Sequence, residues 1–325
     1  MANRKVLHAL RDRIEGQIVG QTRMVEHLLI ALLADGHVLL EGAPGLAKTR
    51  MAHLVATAFD AVFRRIQFTS DLMPSDITGS AIYDQGGSRF VFQKGPLFAN
   101  FVLADEINRA PSKVQSALLE AMEERQISSG DKTYPLEQPF FVIATQNPIE
   151  HDGTWDLPRA QLDRFLLHIV VEFPKADDER AILELMLSEA REAGQTDIGK
   201  TDGAPIKLIS PQELAAARSE VLNIHISPLI IDYITRIISG TRDDPEPIDG
   251  VGEHLDHPIS PRGSIALART AQARAWLHER DYVLPDDVIA LAPDALRHRI
   301  GLRYRSEMDG IRPDDIVESL LASVE

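Results

Sequence analysis

The amino-acid sequence predicts an α/β fold in which a mostly parallel, five-stranded sheet lies between helices and an all-α domain follows it. Two observations support this prediction. In the first half of the chain, short apolar runs alternate with stretches of helical periodicity, a pattern typical of parallel strands joined by crossover helices. In the second half the strand-like runs stop and helix-start signals replace them. We therefore expect an α/β core at residues 1–190 and a helical domain at residues 191–325.

Five apolar runs have the composition of buried strands. In chain order they are "HVLLEG" (37–42), "FRRIQF" (63–68), "FVLADE" (101–106), "FFVIATQ" (140–146) and "FLLHIVVEF" (165–173). Strands of a parallel sheet are covered on both faces, so they read as nearly continuous apolar runs and not as alternating ones. We expect all five strands in one sheet.

Two crossover helices are marked by apolar residues at helical spacing. One helix follows the first strand, and the other follows Pro111. Their apolar positions are Met51, Leu54, Val55 and Ala58 in the first helix and Val114, Ala117, Leu118, Ala121 and Met122 in the second. This spacing places each set on one helix face, which we expect to pack against the sheet.

Two insertions in the core have the pattern of exposed β-hairpins. The first, near residues 80–94, has Gly86 and Gly87 between two alternating segments. The second, near residues 126–137, has Gly130 and Asp131 between residues that favour strands. A Gly-Gly or Gly-Asp pair between strand-forming runs is typical of a tight hairpin turn.

The helices of the second half begin at Ser-Pro pairs. These pairs are Ser210-Pro211, Ser227-Pro228 and Ser260-Pro261. Serine caps the free N–H groups of a helix start, and proline fits the first helical position. Between the last two pairs, the acidic segment "GTRDDPEPIDGVGEHLDHP" (240–258) is rich in proline and glycine and predicts a long loop.

Composition excludes several classes of function. The chain has 34 Lys and Arg against 49 Asp and Glu, a net charge of −15, so a nucleic-acid partner is not expected. It has no cysteine, which excludes thiolate chemistry and disulfides and fits a reducing compartment. No apolar run approaches the roughly 20 residues that span a bilayer. We expect a soluble, cytoplasmic protein without membrane insertion.

The segment "EGAPGLAKT" (41–49) nearly matches the phosphate-binding pattern G-x-x-x-x-G-K-[ST]. The candidate phosphate-binding residues are Gly42, Ala43, Pro44, Gly45, Leu46, Ala47, Lys48 and Thr49. Ala47 replaces the second glycine, which costs little if its backbone is helical. We expect Lys48 to contact the β- and γ-phosphates, with its charge facing solvent when no ligand is bound, and Thr49 to face Mg²⁺. The alternative is an ordinary glycine turn between a strand and a helix.

Polar side chains follow two of the predicted strands. Asp105 and Glu106 end "FVLADE", and Asn147 follows "FFVIATQ". Since parallel strands deliver their carboxyl ends to one edge of a sheet, these residues should lie near the glycine loop. We expect Asp105 to hold Mg²⁺, Glu106 to polarise an attacking water and Asn147 to orient that water. The alternative for the acidic pair is a solvated turn.

Arg262 lies in the first turn of the helix that begins at Ser260-Pro261. A cation there opposes the helix dipole at a cost of roughly 0.3 to 1 kcal/mol, so a nearby anion is expected. That anion is either a phosphate or a carboxylate of the acidic segment just before it.

Several motifs together resemble the MoxR family of AAA+ ATPases. They are "IVGQ" (18–21), "EGAPGLAKT" (41–49), "MPSDITGS" (73–80), "GPLFANFVLADEINRAPSKVQSALLEAMEERQI" (95–127), "IATQNP" (143–148), "LPRAQLDRF" (157–165) and "SPRGSIALAR" (260–269). The resemblance implies an AAA+ α/β core with a helical lid, an ATPase that uses ATP and Mg²⁺, and a homo-oligomeric ring, usually a hexamer. In chain order, the residues it implies are Val19 and Gly20 at the adenine, Lys48 and Thr49 as Walker A, Asp105 and Glu106 as Walker B, Asn147 as sensor 1, Arg164 as arginine finger and Arg262 as sensor 2.

The resemblance also implies a cellular role. Members of the family are chaperone-like remodellers in the maturation or assembly of protein complexes, often with a partner that bears a von Willebrand factor A domain. In this subgroup the two hairpins face the pore or the client side of the ring, which makes Phe90, Phe92 and Tyr134 candidates for client contact. For any one of these aromatic residues, the preferred interpretation is that it pins its hairpin to the core. The alternative functions are a nucleic-acid motor and a nucleotide-sensing scaffold with low turnover.

Arg164 directly precedes the strand "FLLHIVVEF". We expect this strand to be central, which places Arg164 at the sheet edge opposite Asp105 and Asn147, where it cannot easily reach its own nucleotide. We therefore expect Arg164 to act on the ATP of a neighbouring subunit. Its alternatives are Arg159, which departs from the family pattern, and Arg109, while a structural pair with Asp163 is the non-functional explanation.

Overall fold

The computed structural model describes residues 2–46, 48–86, 88–148, 154–195, 208–242, 248 and 251–324, without the side chains of residues 2 and 189–195. The strands are β1 (Val38–Glu41), β2 (Phe63–Gln67), β3 (Gly79–Asp84), β4 (Arg89–Lys94), β5 (Phe101–Asp105), β6 (Gln126–Ser129), β7 (Lys132–Pro135), β8 (Phe141–Gln146), β9 (Leu167–Val170), β10 (Leu255–His257) and β11 (Gly301–Leu302). The α-helices are α1 (Ala2–Glu15), α2 (Thr22–Leu33), α3 (Lys48–Thr57), α4 (Pro74–Thr78), α5 (Ser112–Glu124), α6 (Arg159–Leu162), α7 (Ala176–Gln195), α8 (Pro211–Leu222), α9 (Pro228–Ser239), α10 (Pro261–Leu277), α11 (Pro285–Leu296), α12 (Tyr304–Met308) and α13 (Pro313–Val324).

The central sheet confirms the predicted fold class. Its five strands are the five predicted ones, they pair in parallel, and their order is β2-β5-β8-β1-β9. The first and second strands of the chain are therefore not neighbours. This order brings the ends of β5, β8 and β1 side by side.

One expectation about the sheet is wrong. We expected the strand after Arg164 to be central, but β9 is an edge strand that pairs only with β1 among the described strands. Its residues are nevertheless buried, because helices α2 and α11 pack against it. Burial by helices and burial between strands produce the same apolar run, so the sequence could not distinguish them.

Both predicted hairpins are present. Strands β3 and β4 pair antiparallel, and so do β6 and β7. Gly130, at the second turn, has a φ of 59°, which favours glycine. Phe92 of the first hairpin stacks on Tyr134 of the second at a centroid distance of 4.2 Å, so the two hairpins are joined.

The predicted helix starts in the second half are confirmed. Ser210, Ser227 and Ser260 each cap a helix whose first residue is the following proline. At Ser210 the cap is reciprocal, since the backbone N–H of Ser210 also donates to the Glu213 carboxylate at 2.7 Å.

The second half is not wholly helical, which corrects the prediction. Strands β10 and β11 form a small antiparallel sheet, and β10 lies at the end of the predicted loop at 240–258. Leu255 and Leu302 pair there and are both buried. Strands of two or three residues are too short to show a periodic pattern. Residues 243–247, 249 and 250 of that loop lie outside the described residues.

Two apolar clusters lie on the two faces of the sheet. The larger joins α1, α2 and α3 to the lid helices, and it includes Leu10, Leu40 and Trp276. The smaller includes Leu39 and Leu118 and lies under α5. The expected domain boundary at 190/191 falls within α7, and the two-domain division remains a prediction. No helix in the described part of the chain is long and apolar enough to cross a membrane.

Candidate nucleotide site

The carboxyl ends of β1, β5 and β8 bring together the predicted phosphate-binding residues. Lys48 donates to the Asn147 side-chain oxygen at 3.0 Å, and the Thr49 hydroxyl lies 3.4 Å from an Asp105 carboxylate oxygen. Register explains this proximity, because Glu41 pairs with Gln146 and Gln67 pairs with Asp105. The predicted convergence of three strand ends is present.

The glycine loop has the conformation that its glycines allow. Gly45 has a φ of 88°, which other residues rarely adopt, and a Cβ there would meet no atom within 4 Å. Gly42 lies against β9, where a Cβ would come within 2.9 Å of the Val171 carbonyl oxygen. The expectation of a helical backbone at Ala47 concerns a residue outside those described. Helix α3 starts at Lys48, so its N-terminus faces the loop.

The Lys48 side chain does not face solvent, contrary to expectation. Its ammonium group donates to the carbonyl oxygens of Gly42 and Gln146, the latter at 3.1 Å, as well as to Asn147. The residue is only 8% exposed. Burial lowers the pKa of Lys48 below its usual value, and the carboxylates of Asp105 and Glu106 oppose this shift. The reason for the error is that carbonyls at the strand ends can satisfy the cation without a ligand.

Asp105 is held by residues from both neighbouring strands. One of its oxygens accepts from the Thr145 hydroxyl of β8 at 2.7 Å, and the other accepts from the Arg65 guanidinium of β2 at 2.6 Å. The oxygen bound to Arg65 is the one nearest Thr49. A hydroxyl and a carboxylate are ligands suited to Mg²⁺, so Thr49 and Asp105 fit the ion. Sequence reasoning missed both residues: Arg65 belongs to none of the quoted motifs, and Thr145 lies in "IATQNP", where only Asn147 was singled out.

Glu106 has a left-handed backbone, with φ 57° and ψ 51°. This conformation is uncommon for residues other than glycine and turns the side chain out of the strand direction. Its carboxylate accepts from Gln67 at 2.9 Å and from Asn147 at 3.3 Å, and it pairs with Arg109 at 3.2 Å. Arg109 is thus engaged with its own subunit's Glu106. Gln67 was also missed, although its place at the end of β2 was a usable signal.

An apolar cavity of about 210 Å³ lies beside the glycine loop. Val19, which we expect at the adenine, lines this cavity, whereas Gly20 lines the adjoining cavity. The other wall of the apolar cavity is formed by Pro174 and by Ile182, Leu185 and Met186 of α7. Sequence reasoning did not identify this wall.

The two candidate arginines lie together at the opposite edge of the sheet. Arg164 precedes β9, and the next residue but one, Leu166, donates its backbone N–H to His37 at the start of β1. Since β1 and β9 have four residues each, this edge is about 13 Å from the glycine loop. Arg164 pairs with Glu123 at 3.0 Å, and Arg262 pairs with the other oxygen of the same carboxylate.

Arg262 is therefore near Arg164 and not near Lys48. Its carboxylate partner among the described residues is Glu123 of α5. Most carboxylates of the acidic segment at 240–258, the alternative partner, lie outside the described residues. Asp163 is not the partner of Arg164 either, because its carboxylate accepts from Arg299 at 2.7 Å and from the Ser260 hydroxyl at 3.0 Å.

The other finger candidate occupies a different place. The Arg159 guanidinium lies directly against the backbone of Gly301 in β11. Arg164 is thus the candidate that shares a cleft with Arg262. This arginine cleft encloses about 250 Å³. Its charged lining residues are Arg125, Arg164, Arg262, Arg269 and Arg299 with Asp35, Glu123 and Asp163.

Comparison with known proteins identifies relatives over the full chain. The family described as "ATPase family associated with various cellular activities (AAA)" matches residues 37–167, and the AAA lid domain matches residues 251–320. The chain is 44% identical to the chaperone MoxR1 of Mycobacterium tuberculosis, over 94% of this chain and 78% of the relative. It is 42% identical to the YeaC protein of Bacillus subtilis, over 100% and 97% respectively. The crystal structure of a candidate ATPase from Cytophaga hutchinsonii is 40% identical and superposes with a TM-score of 0.88, covering 100% of this chain and 96% of that one.

Proposed function

The chain belongs to the MoxR family of AAA+ ATPases, and we propose that it binds ATP with Mg²⁺ and hydrolyses it to ADP and phosphate. The observation that supports this best is the convergence of Lys48, Thr49, Asp105, Glu106 and Asn147 at one sheet edge, beside an apolar cavity of a size suited to a purine. The phosphates would meet Lys48, Mg²⁺ would meet Thr49 and Asp105, and the purine base would meet the apolar cavity.

In this proposal Lys48 exchanges its carbonyl partners for the β- and γ-phosphates, which are stronger acceptors. Thr49 and Asp105 hold Mg²⁺, which when bound supplies positive charge at the phosphates. Glu106 accepts a proton from the attacking water, and Asn147, already bonded to Glu106, orients that water.

We further propose that the active site is completed by a neighbouring subunit. Arg164 and Arg262 lie at the sheet edge away from Lys48, so they can act on the ATP of a neighbouring subunit in a ring. Their charge would offset the negative charge that develops on the γ-phosphate, a contribution of on the order of 10³ to 10⁵ in rate for arginine fingers generally.

The cellular role that we propose is chaperone-like remodelling of protein complexes in the cytoplasm. It rests on family membership and on the name of the mycobacterial relative. The exposed side chains of Tyr83 and Phe90 on the first hairpin offer an apolar surface for a protein client. A partner with a von Willebrand factor A domain is part of the same proposal.

Phosphate release from ATP tests the hydrolysis proposal. The wild-type protein should release phosphate with Mg²⁺ present, Lys48→Ala should not bind nucleotide, and Glu106→Gln should bind it without turnover. Normal turnover by Glu106→Gln would contradict the assigned chemistry.

Mixing tests the shared site. Arg164→Ala and Glu106→Gln should each be nearly inactive alone, whereas mixed rings should regain part of the rate, because some interfaces pair an intact Glu106 with an intact Arg164. No recovery in rings shown to be mixed would contradict action in trans. Capture of partners by the Glu106→Gln protein with ATP would then test the client, since recovery of nucleic acid alone would contradict the chaperone role.

A further inference from the structure

A single carboxylate holds both arginines of the cleft. Glu123, near the end of α5, pairs through one oxygen with Arg164 at 3.0 Å and through the other with Arg262. Both guanidinium-bearing side chains are partly exposed, 30% for Arg164 and 47% for Arg262. Among the residues that the structure describes, no second carboxylate pairs with either of them.

Of the three carboxylates that line the cleft, Glu123 is the one available to this pair. Five arginines and three carboxylates line the cleft, an excess of positive charge in a chain whose net charge is −15. The other two carboxylates are already engaged, Asp35 with Arg125 and Arg218, and Asp163 with Arg299. Without Glu123, two like charges would face each other across the cleft.

Side-chain contacts already join the two segments that carry these arginines. Asp163, the residue before Arg164, accepts a hydrogen bond from Ser260, which caps α10 two residues before Arg262. The Arg299 side chain, which is 3% exposed, donates to the same Asp163 carboxylate. The long side chains of Arg164 and Arg262 can still move. Fixing a mobile arginine side chain costs about 2 kcal/mol of conformational entropy.

We infer that Glu123 is a positioning residue for the hydrolysis: it holds Arg164 and Arg262 side by side, ready for the γ-phosphate of a neighbour's ATP. This inference rests on the proposed shared site. Because exposed ion pairs are worth about 1 kcal/mol or less, the arginines can leave Glu123 at small cost. The γ-phosphate carries more charge than a carboxylate and offers three oxygens, so it can accept from both guanidiniums at once.

Steady-state kinetics of Glu123→Ala and Glu123→Gln test this role, with Glu137→Gln as the control. Glu137 is exposed, takes part in neither ion pair and does not line the cleft. We expect kcat to fall about 10- to 100-fold in both Glu123 variants, the usual cost of a misplaced catalytic group, with KM for ATP unchanged. KM should not move because Lys48 and Thr49 bind the nucleotide in the other subunit. The control should keep the wild-type rate.

Mixing then identifies the edge at which Glu123 acts. Glu123→Ala mixed with Glu106→Gln should regain activity, because the two defects lie on opposite edges. Glu123→Ala mixed with Arg164→Ala should not, because both defects lie on the same edge. Light scattering and circular dichroism verify that the Glu123 variants fold and form rings, and the milder Gln variant serves if the Ala variant does not.

The failures of the two proposals are distinguishable. If Arg164→Ala and Glu106→Gln do not restore each other in mixed rings, the shared site itself is wrong. If they do, but Glu123→Gln keeps or exceeds the wild-type kcat, or if Glu123→Ala restores Arg164→Ala, then Glu123 does not position the arginines.

Discussion

Arg65 lies where Mg²⁺ would compete with it. Its guanidinium donates to the Asp105 oxygen that is nearest Thr49, and its side chain is 52% exposed. The free protein thus places a protein cation where Mg²⁺ would lie in the proposed ATP-bound state. The pair holds the Asp105 carboxylate in place in the absence of nucleotide and would compete with Mg²⁺.

Removing the Arg65 charge should therefore ease Mg²⁺ binding. We expect Arg65→Gln to lower the Mg²⁺ concentration for half-maximal ATPase activity by about two- to fivefold, since exposed ion pairs are worth up to about 1 kcal/mol. Titration of the steady-state rate with Mg²⁺ measures it. Arg64→Gln is the control, because adjacent strand residues point to opposite faces. An unchanged Mg²⁺ requirement with a reduced kcat would mean that Arg65 takes part in the reaction instead.

His37 makes folding sensitive to pH. Its Nδ1 accepts from the backbone N–H of Val142 at 3.0 Å, so its Nε2 donates to the Met122 carbonyl at 3.2 Å, an arrangement that only the neutral ring can make. Burial, with the nearby positive charge of Arg125, lowers the pKa of His37 from 6.5 to about 3. The unfolded chain therefore takes up this proton first as the pH falls below about 6.5, and the stability present above that pH is lost progressively toward pH 3.

Between pH 7 and pH 5 this histidine should remove about 2 kcal/mol from the free energy of unfolding. His37→Gln retains a donor and an acceptor but does not titrate, so its loss over the same interval should be smaller by that amount. Urea denaturation at the two pH values measures the difference. His257→Gln, at an exposed position, should show the wild-type loss. The same slope in His37→Gln and wild type would assign the pH dependence to other groups.

At the scale of elements, the sequence predicts the features that depend on residues close together in the chain. Four of the five core strands are mostly apolar because they are buried, whereas in β2 only Ile66 is buried. The three Ser-Pro caps act within one helix turn, so they and the buried strands were predictable. The strand order was not, because it depends on pairings between distant segments. Gln67, Arg65 and Thr145 meet Asp105 and Glu106 through that order, so their contacts could not be predicted from local pattern alone.

The aromatic residues of the hairpins divide into two pairs. Phe92 and Tyr134 are partly buried and stack across the two hairpins, with ring planes 14° apart. Tyr83 and Phe90 meet edge to face at 5.4 Å within the first hairpin, and Phe90 is 74% exposed. The first pair joins the hairpins, whereas the second is available for contact with other molecules.

A double-mutant cycle should separate these pairs. For Phe92→Ala and Tyr134→Ala we expect a coupling free energy of about 0.5 to 1.5 kcal/mol in urea denaturation, the range for aromatic contacts. For Tyr83→Ala and Phe90→Ala the coupling should be smaller, because the exposed pair excludes less water. Additive effects for Phe92 and Tyr134 would mean that the hairpins are held by their backbones alone.

At the scale of the whole molecule, the sheet separates the two groups of residues that we propose to form one reaction site between subunits. Its carboxyl edge has the glycine loop and the carboxylates, and its amino edge has the arginine cleft. The lid contributes Arg262 to the second half, because Ser260 at the start of α10 is bonded to Asp163 of the core. A ring that places the cleft of one subunit against the loop of the next would complete each site, and a single subunit would not.

Arg262 provides the sharpest test of this division, because it belongs to the lid and could in principle serve either edge. If it acts with Arg164, Arg262→Ala should lower kcat on the order of 10²-fold or more, as loss of a cation at the transferring phosphate does. Rings mixed from Arg262→Ala and Glu106→Gln should then regain activity, while rings mixed from Arg262→Ala and Arg164→Ala should not. Arg305→Ala, which removes an exposed lid charge on α12, should leave the rate unchanged. The reverse pattern, recovery with Arg164→Ala and none with Glu106→Gln, would place Arg262 at its own subunit's nucleotide and would require the lid to move away from Glu123.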